Sequence, residues 1–490
     1  MSWSPLNNSS RLFRPWHSEA LRGHSAGRGR ASAGAMDAMP AKVSLEAVAR
    51  FYQERLPLGS IWEAVRLALA GNRPLRIGTA CSGTDSPVAV FAALGKAMPS
   101  LKIEHVFSCE FDPKKREWIT QNFPKLPYLF GDVQDLAKGR AWNYATEMEV
   151  QVPPVDILVA GFVCKSVSVE NNQREKYANC IKEACGLTGE TFQGIIQYVE
   201  KYQPAVVICE NVEGLTKRNR GAEPVINHVK EEFISRGYAF EHKLLNSRNY
   251  LLPHRRNRCW MWAFRGLKHQ GSATLAGEDV VALGQKKFWG MGFLFRSVNA
   301  NGPGADDRRP LNERETEVLR RVRSRLTPEQ LKEDLVVDVG KSVDRLHYCL
   351  GGAAPCVVPN SRTYRVMQKN VLSPEQCHAL QGIFKSDFPA LATWATEKKK
   401  ITRDLAGNAF STTVCMAVVL VALCHGPLPR TSSLKRMAPR VGEDGCASPG
   451  EPATEEDVAE TEDVAETKVV RTPTHKRPRG HQAARARRAS

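Results

Sequence analysis

The sequence predicts an α/β protein built on a doubly wound sheet, with a smaller second domain. Three observations carry this expectation. From Leu75 to Phe264, short apolar runs bounded by turn residues alternate with helical segments, the pattern of strands and crossover helices in one sheet. The first run, Leu75 to Ala80, breaks into the small-residue turn Cys81-Ser82-Gly83-Thr84-Asp85-Ser86, which opens a helical segment from Val88 to Ala97. The second, Ile103 to Cys109, ends in Glu110, about where doubly wound folds put an acid that accepts ribose hydroxyls.

Each element then follows in order. Small residues in the first turn let backbone approach a ligand, and the helix start behind it offers unsatisfied amide donors. The turn lacks the Gly-x-Gly-x-x-Gly spacing of dinucleotide sites. Asp132, in Gly131-Asp132-Val133, reads from composition as a turn residue. The apolar run from Val155 is a buried strand that breaks at Cys164, where a nucleophile would be mounted, although a free cysteine is also a small core hydrophobe. The polar, lysine-bearing segment Val169 to Thr188 is expected as a loop, and Gly189-Glu190-Thr191-Phe192 precedes an amphipathic helix from Ile195 to Tyr202. Ala205 to Cys209 is a second buried strand, ending in Glu210-Asn211-Val212, so two strand ends can aim a thiol and a carboxylate into one crevice. Before the apolar strand Cys259 to Phe264 stands Leu252-Pro253-His254-Arg255-Arg256-Asn257-Arg258, where Arg256 and Arg258 share one side of the chain.

Between Arg265 and Asn370 the periodicity weakens and charge accumulates, as in Arg320-Arg321-Val322-Arg323-Ser324-Arg325, which marks the second domain. Leu372 to Gly382 and Ala406 to Ser411 close the folded part. The helix after Asn408 is apolar nearly all round but shorter than the ~20 residues of a membrane span, so it is expected as a buried helix and no membrane partner is expected. The resulting division is an arm over 1–43, a helical lead-in over 44–74, the main domain over 75–264, the second domain over 265–370, the closing segment over 371–425 and a low-complexity tail over 426–490.

With 490 residues, 42% of them hydrophobic, the chain can bury a substantial core. Its net charge of +17 favours a polyanionic partner without separating DNA from RNA or a membrane surface. The thirteen cysteines include no Cys-x-x-Cys pair, so neither a zinc ribbon nor a disulfide framework is indicated, and no metal is expected. Residues up to Gly34 are rich in Ser, Arg and Gly, which fits an organellar transit peptide, a disordered arm, or a true start at Met36. The tail repeats Glu456 to Thr461 at Glu462 to Thr467 and ends in the basic clusters Lys476 to Arg479 and Arg485 to Arg488, suited to nuclear import, to DNA contact or to plain solvation.

The order of these motifs from about Leu75 to Leu423 resembles the cytosine-5 DNA methyltransferases, on a Rossmann-like methyltransferase sheet with a smaller target-recognition domain. The resemblance implies S-adenosylmethionine as cofactor, held by Cys81, Ser82, Gly83, Glu110, Asp132, Val133 and Asn408. It implies Cys164 as the thiolate that adds to cytosine carbon 6 and Glu210 as the group at ring nitrogen 3. Arg256 would help hold the base and the polar network, and Arg258 the substrate backbone or local structure. DNA is the implied partner, with the nucleus as its compartment and chromatin targeting left to other proteins. A tRNA methyltransferase on the same scaffold typically carries a Cys-Phe-Thr tripeptide, absent here. A silent regulatory homologue would be expected to lose Cys164 or Glu210, and both are present. Six positions depart from the family pattern. Cys81 replaces an aromatic, Asp85 and Ser86 replace a double glycine, and His254 replaces a glutamine. Val163 stands where a proline would rigidify the catalytic turn, and Lys165 replaces a glutamine and is expected to lower the Cys164 pKa.

Overall fold

Seven strands make the central sheet: β1 (Leu75–Ala80), β2 (Ile103–Cys109), β3 (Tyr128–Phe130), β4 (Ile157–Ala160), β5 (Val206–Val212), β6 (Tyr238–Asn246) and β7 (Asn257–Arg265). Their spatial order is β3-β2-β1-β4-β5-β7-β6, with the first five parallel and β7 antiparallel between β5 and β6. The order reverses between β1 and β4, and open α/β sheets bind ligands beside such a switch point, outside the carboxyl ends of the strands. The computed structural model describes residues 39–56, 73–218, 223–296 and 309–428. The N-terminal arm before Met39, most of the lead-in, the tandem hexapeptide and both basic clusters of the tail lie outside the described residues.

The strands read as unbroken apolar runs because both faces of the sheet are covered. Ile157 and Val159 face one core while Leu158 and Ala160 face the other. Val206 and Ile208 oppose Val207 and Cys209 in the same way, as do Trp260 and Trp262 against Met261 and Ala263. Helices α1 (Leu45–Gln53), α2 (Ser86–Ala97) and α3 (Pro113–Asn122) contribute to the first core, and α4 (Gly186–Tyr202) and α5 (Val225–Ser235) to the second.

Helix α4 begins at Gly186 rather than near Ile195. Its glycines read as loop in the sequence, but they are sites of close approach. A Cβ at Gly189 would lie 2.0 Å from the Cys180 carbonyl oxygen, and one at Gly194 would lie 2.9 Å from Val133.

Helix α6 (Gln270–Ala282) packs on β6 and β7, and Trp262 Nε1 donates to the Ala273 carbonyl at 2.9 Å. The boundary expected at Arg265 therefore precedes a helix of the main core. The small domain has its own core, Val318, Leu319 and Val322 of α7 (Glu313–Arg323) against Leu335, Val337 and Val339. Four short strands complete it, among them Val336–Asp338 and Thr363–Arg365. The chain returns through α8 (Lys399–Asn408) and α9 (Thr412–His425). The stretch Lys399–His425 is long and apolar enough to cross a membrane by length and composition, yet 83% of its apolar window is buried in the fold. Helix α9 packs among α1, α2 and α6, so its all-round apolarity is that of a core helix.

Candidate functional site

A cavity of about 990 Å³ opens at the carboxyl ends of β1, β2, β4 and β5. Cys81, Ser82, Gly83, Glu110, Asp132, Val133, Cys164, Glu210, Arg256, Arg258 and Asn408 all line it. Residues that are remote in sequence thus meet where the sheet topology puts a ligand.

One half of the cavity is the turn after β1. Ser82 stitches this turn to β2, donating from its backbone N–H to the Cys109 carbonyl at 3.0 Å and accepting from Cys109 N at 3.1 Å. Gly83, at φ +57°, turns its N–H onto Glu110 Oε2 at 2.8 Å, and Asp112 N donates to Glu110 Oε1 at 3.0 Å. Glu110 is therefore fixed facing the cavity with acceptor capacity left over. Asp132 does what a turn residue does, accepting from Gln134 N at 3.0 Å, and it also lines the cavity. With Glu110, Asp132 and Asp404 on this wall, the half suits a ligand bearing hydroxyls, an amino group and positive charge. A pyrophosphate would be repelled. S-adenosylmethionine fits that donor set and the cavity's size.

Asp85, in place of a glycine, is at φ +58° and fully buried. Its carboxyl accepts from Thr79 Oγ1 at 2.7 Å and from Ser108 Oγ. Burial drives its pKa up to about 7 against the lowering effect of those bonds.

The other half is the turn after β4. With Val163 in place of a proline, this turn is held by its neighbours. Val163 N donates to Thr191 Oγ1 at 3.2 Å, Asn211 Nδ2 donates to the Phe162 carbonyl at 2.9 Å, and Ser166 N donates to Thr188 Oγ1 at 3.1 Å. Helix α4 and strand β5 thus clamp the peptide that carries Cys164. Glu210 is buried at the end of β5, with Arg258 Nε 3.1 Å from its Oε1 and no aligned hydrogen bond reaching that oxygen. Burial raises the Glu210 carboxyl above its ordinary value, while Arg258 and Arg256 oppose the shift. The Cys164 thiol is also raised, by burial first, and the charge that most opposes the rise belongs to Arg258 rather than to Lys165. The expectation that Lys165 lowers this thiol is thereby corrected.

The two arginines divide their work. Arg256, 2% exposed, donates from Nη1 to the carbonyls of Val357 (2.9 Å) and Gly407 (3.2 Å) and from Nη2 to that of Ala409 (2.8 Å). It ties the end of the small domain and the closing segment to the sheet, so its help to a bound base is indirect. Arg258 is the guanidinium that faces Glu210, and its charge also reaches the Cys164 thiol. His254, in the glutamine's place, is buried and neutral, its pKa lowered by burial and by both arginines, and it accepts from Val357 N at 3.0 Å.

Asn408 lines the cavity at the end of α8 and donates from Nδ2 to Asp404. Sequence reasoning missed the wall supplied by Lys341, Pro359 and Asn360 of the small domain, and Cys356, whose thiol is drawn below its usual pKa by Arg258 and Arg256 in spite of burial. No local motif marks these residues. Arg320 and Arg321, of the basic run that marks the second domain, pair with Glu317 on their own helix at 2.7 and 2.8 Å.

A family profile described as C-5 cytosine-specific DNA methylase matches residues 89–288, the stretch holding Glu110, Asp132, Cys164, Glu210, Arg256 and Arg258. The chain is 36% identical over 233 residues to the DNA (cytosine-5-)-methyltransferase DMT5 of Cryptococcus neoformans, covering 46% of this chain and 9% of that protein. It is 29% identical over 181 residues to the Type II methyltransferase M.HhaI of Haemophilus parahaemolyticus, covering 36% of this chain and 48% of the relative. The chain therefore spans about a tenth of the first relative and about half of the second. The solved Entamoeba histolytica methyltransferase EhMeth superposes with a TM-score of 0.46 at 10% identity, over 71% of this chain and 98% of that one.

Proposed function

We propose that the chain methylates carbon 5 of cytosine in DNA, as the match of residues 89–288 to the profile of C-5 cytosine-specific DNA methylases suggests. The observation that carries the reading is the meeting of Cys164 and Glu210 around Arg258 in one cavity, beside a half whose carboxylates suit S-adenosylmethionine. When bound, that cofactor supplies an electrophilic methyl group.

The residues of the chain do the rest. Cys164 loses its proton and its sulfur adds to carbon 6, breaking the 5,6 double bond and making carbon 5 nucleophilic. Burial holds the thiol protonated in the free protein, so the thiolate forms against that bias, helped by the charge of Arg258. Glu210, with its pKa raised by burial and Arg258 beside its Oε1, holds or protonates ring nitrogen 3 as electrons move there. Carbon 5 takes the methyl group, then loses its proton as the sulfur–carbon bond breaks. A base stacked in a duplex cannot reach Cys164, so the nucleotide is flipped out at a cost of a few kcal/mol.

DNA carrying 5-fluorocytosine tests the reading, because fluorine cannot leave as a proton. With S-adenosylmethionine present, a covalent adduct should accumulate and be visible by denaturing electrophoresis. Cys164→Ser should abolish it with cofactor binding intact, and Glu210→Gln should slow it at least ~10-fold. No adduct on any DNA context tried would sink the proposal, and adduct on tRNA alone would replace DNA by RNA.

A further inference from the structure

Six residues beyond Cys164, the loop leaving the catalytic turn crosses to the small domain. There it sets the Glu170 carboxylate among a lysine, an arginine and a histidine of one short stretch. Lys341 Nζ lies 3.0 Å and Arg345 Nη1 3.6 Å from Oε2, and His347 Nε2 lies 3.7 Å from Oε1. Arg345 also donates to the Glu170 carbonyl at 3.4 Å and to Asn172 Oδ1.

The cations are held in place by the small domain itself. Buried Asp338 accepts from Gly340 N (3.0 Å), Arg362 N (2.9 Å) and Ser361 Oγ (2.9 Å), which fixes the turn. Arg314 Nη1 clamps it from outside through the carbonyls of Gly340 and Lys341. Lys341 and Arg345 face one carboxylate, so positive charge is in surplus there even with His347 neutral. Lys341 lines the cavity that holds Cys164, so the surplus sits at the wall of that cavity. Burial raises the Glu170 carboxyl, but the Lys341 hydrogen bond and the neighbouring charges outweigh it, so Glu170 is an anion at neutral pH. At 38% side-chain exposure it can also withdraw into water without stranding a buried charge.

We propose that Lys341 and Arg345, with His347 beside them, form a site for one phosphodiester of the DNA strand that carries the target cytosine, and that Glu170 occupies this site until DNA arrives. The inference rests on the DNA reading above. It makes the loop after Cys164 a part that binding displaces: a phosphodiester takes over the donors of Lys341 and Arg345, and the freed loop is available to close over the flipped base.

Binding of the full chain to a fluorescent duplex, followed by anisotropy over a series of salt concentrations, tests this without relying on methyl transfer. Glu170→Gln should tighten binding several-fold, because it removes the competing anion. Lys341→Ala with Arg345→Ala should weaken binding and flatten the log–log salt slope by roughly 1 to 2, since each phosphate contact contributes about 0.9. Adding Glu170→Gln to that pair should change nothing further. Circular dichroism checks that all the variants fold. Weaker or unchanged binding by Glu170→Gln, or an unchanged salt slope in the double variant, overturns the site while leaving the DNA reading standing. Failure of the unaltered chain to bind any duplex overturns both.

Discussion

The turn after β1 and the turn after β4 face the same cavity and are held by different means. The first is strained and fixed by its own strand and the adjacent β2: Cys81, Gly83 and Asp85 all have positive φ, Ser82 and Gly83 bond to Cys109 and Glu110, and the buried carboxyl of Asp85 bonds to Thr79 and Ser108. Non-glycine residues in that region cost about 1–2 kcal/mol each, so the conformation persists only because side chains over-determine it. The second turn, Gly161 to Ser168, has no positive φ and is clamped from outside by Thr188, Thr191 and Asn211. A glycine lost from the first turn can therefore be replaced by a polar side chain with partners on its own and the adjacent strand. A proline lost from the second is replaced by bonds from distant elements.

Arg256→Ala should give the largest effect, because it disturbs both halves at once. It strands the carbonyls of Val357, Gly407 and Ala409 and releases the segment that carries Asn408. A loss of about 3 kcal/mol or more in denaturant unfolding is expected, with weakened cofactor binding. A near-neutral result would mean that the two halves are held independently.

Asp85 sharpens the comparison. Asp85→Ala keeps the strained φ and removes the acceptor for two buried hydroxyls, at about 2–3 kcal/mol, whereas Asp85→Asn, which tolerates that backbone and still accepts, should lose little. The pH dependence has a definite sign. The folded pKa of about 7 exceeds the ordinary 3.8, so the folded state binds more protons, and the contribution of Asp85 is full below 3.8 and fades as pH rises through about 7. Wild type should lose stability relative to Asp85→Asn over that window in urea titrations. His105, 3.9 Å from Asp85 and lowered to about 4 by burial, acts in the opposite direction between about 4 and its ordinary 6.5 but is present in both chains.

The smallest effect concerns Val163. A proline here would rigidify the turn, but proline has no N–H for Thr191. Val163→Pro should slow trapping of 5-fluorocytosine DNA by about two- to fivefold, the worth of one ordinary hydrogen bond. A faster rate would show that the external clamps leave the turn loose after all.

What the sequence makes legible is what local pattern encodes. Strand ends announce themselves because an apolar run must stop where the chain leaves the core, which is how Cys164, Glu110 and Glu210 are found. Arg256 and Arg258 look alike in sequence because their difference lies in partners elsewhere in the chain: carbonyls at Val357, Gly407 and Ala409 for one, a carboxylate at Glu210 for the other. The start of α4 is hidden because Gly189 and Gly194 serve packing, a role indistinguishable by composition from a turn. Lys341 is illegible for a third reason, since only tertiary folding brings a small-domain turn to the cavity mouth.

Helix α9 carries a consequence for synthesis. It covers the face of the sheet core shared by α1 and α2, although more than three hundred residues of chain separate α2 from α9. At ribosomal rates of roughly 5–20 residues per second, Leu75, Ile77 and the apolar side of α2 wait some tens of seconds for their cover. During that interval the nascent chain presents a wide greasy surface, and the pocket that needs Asn408 cannot be complete. A chain stopped before Thr412 should therefore depend on chaperones indefinitely, whatever the integrity of Cys164 and Glu210.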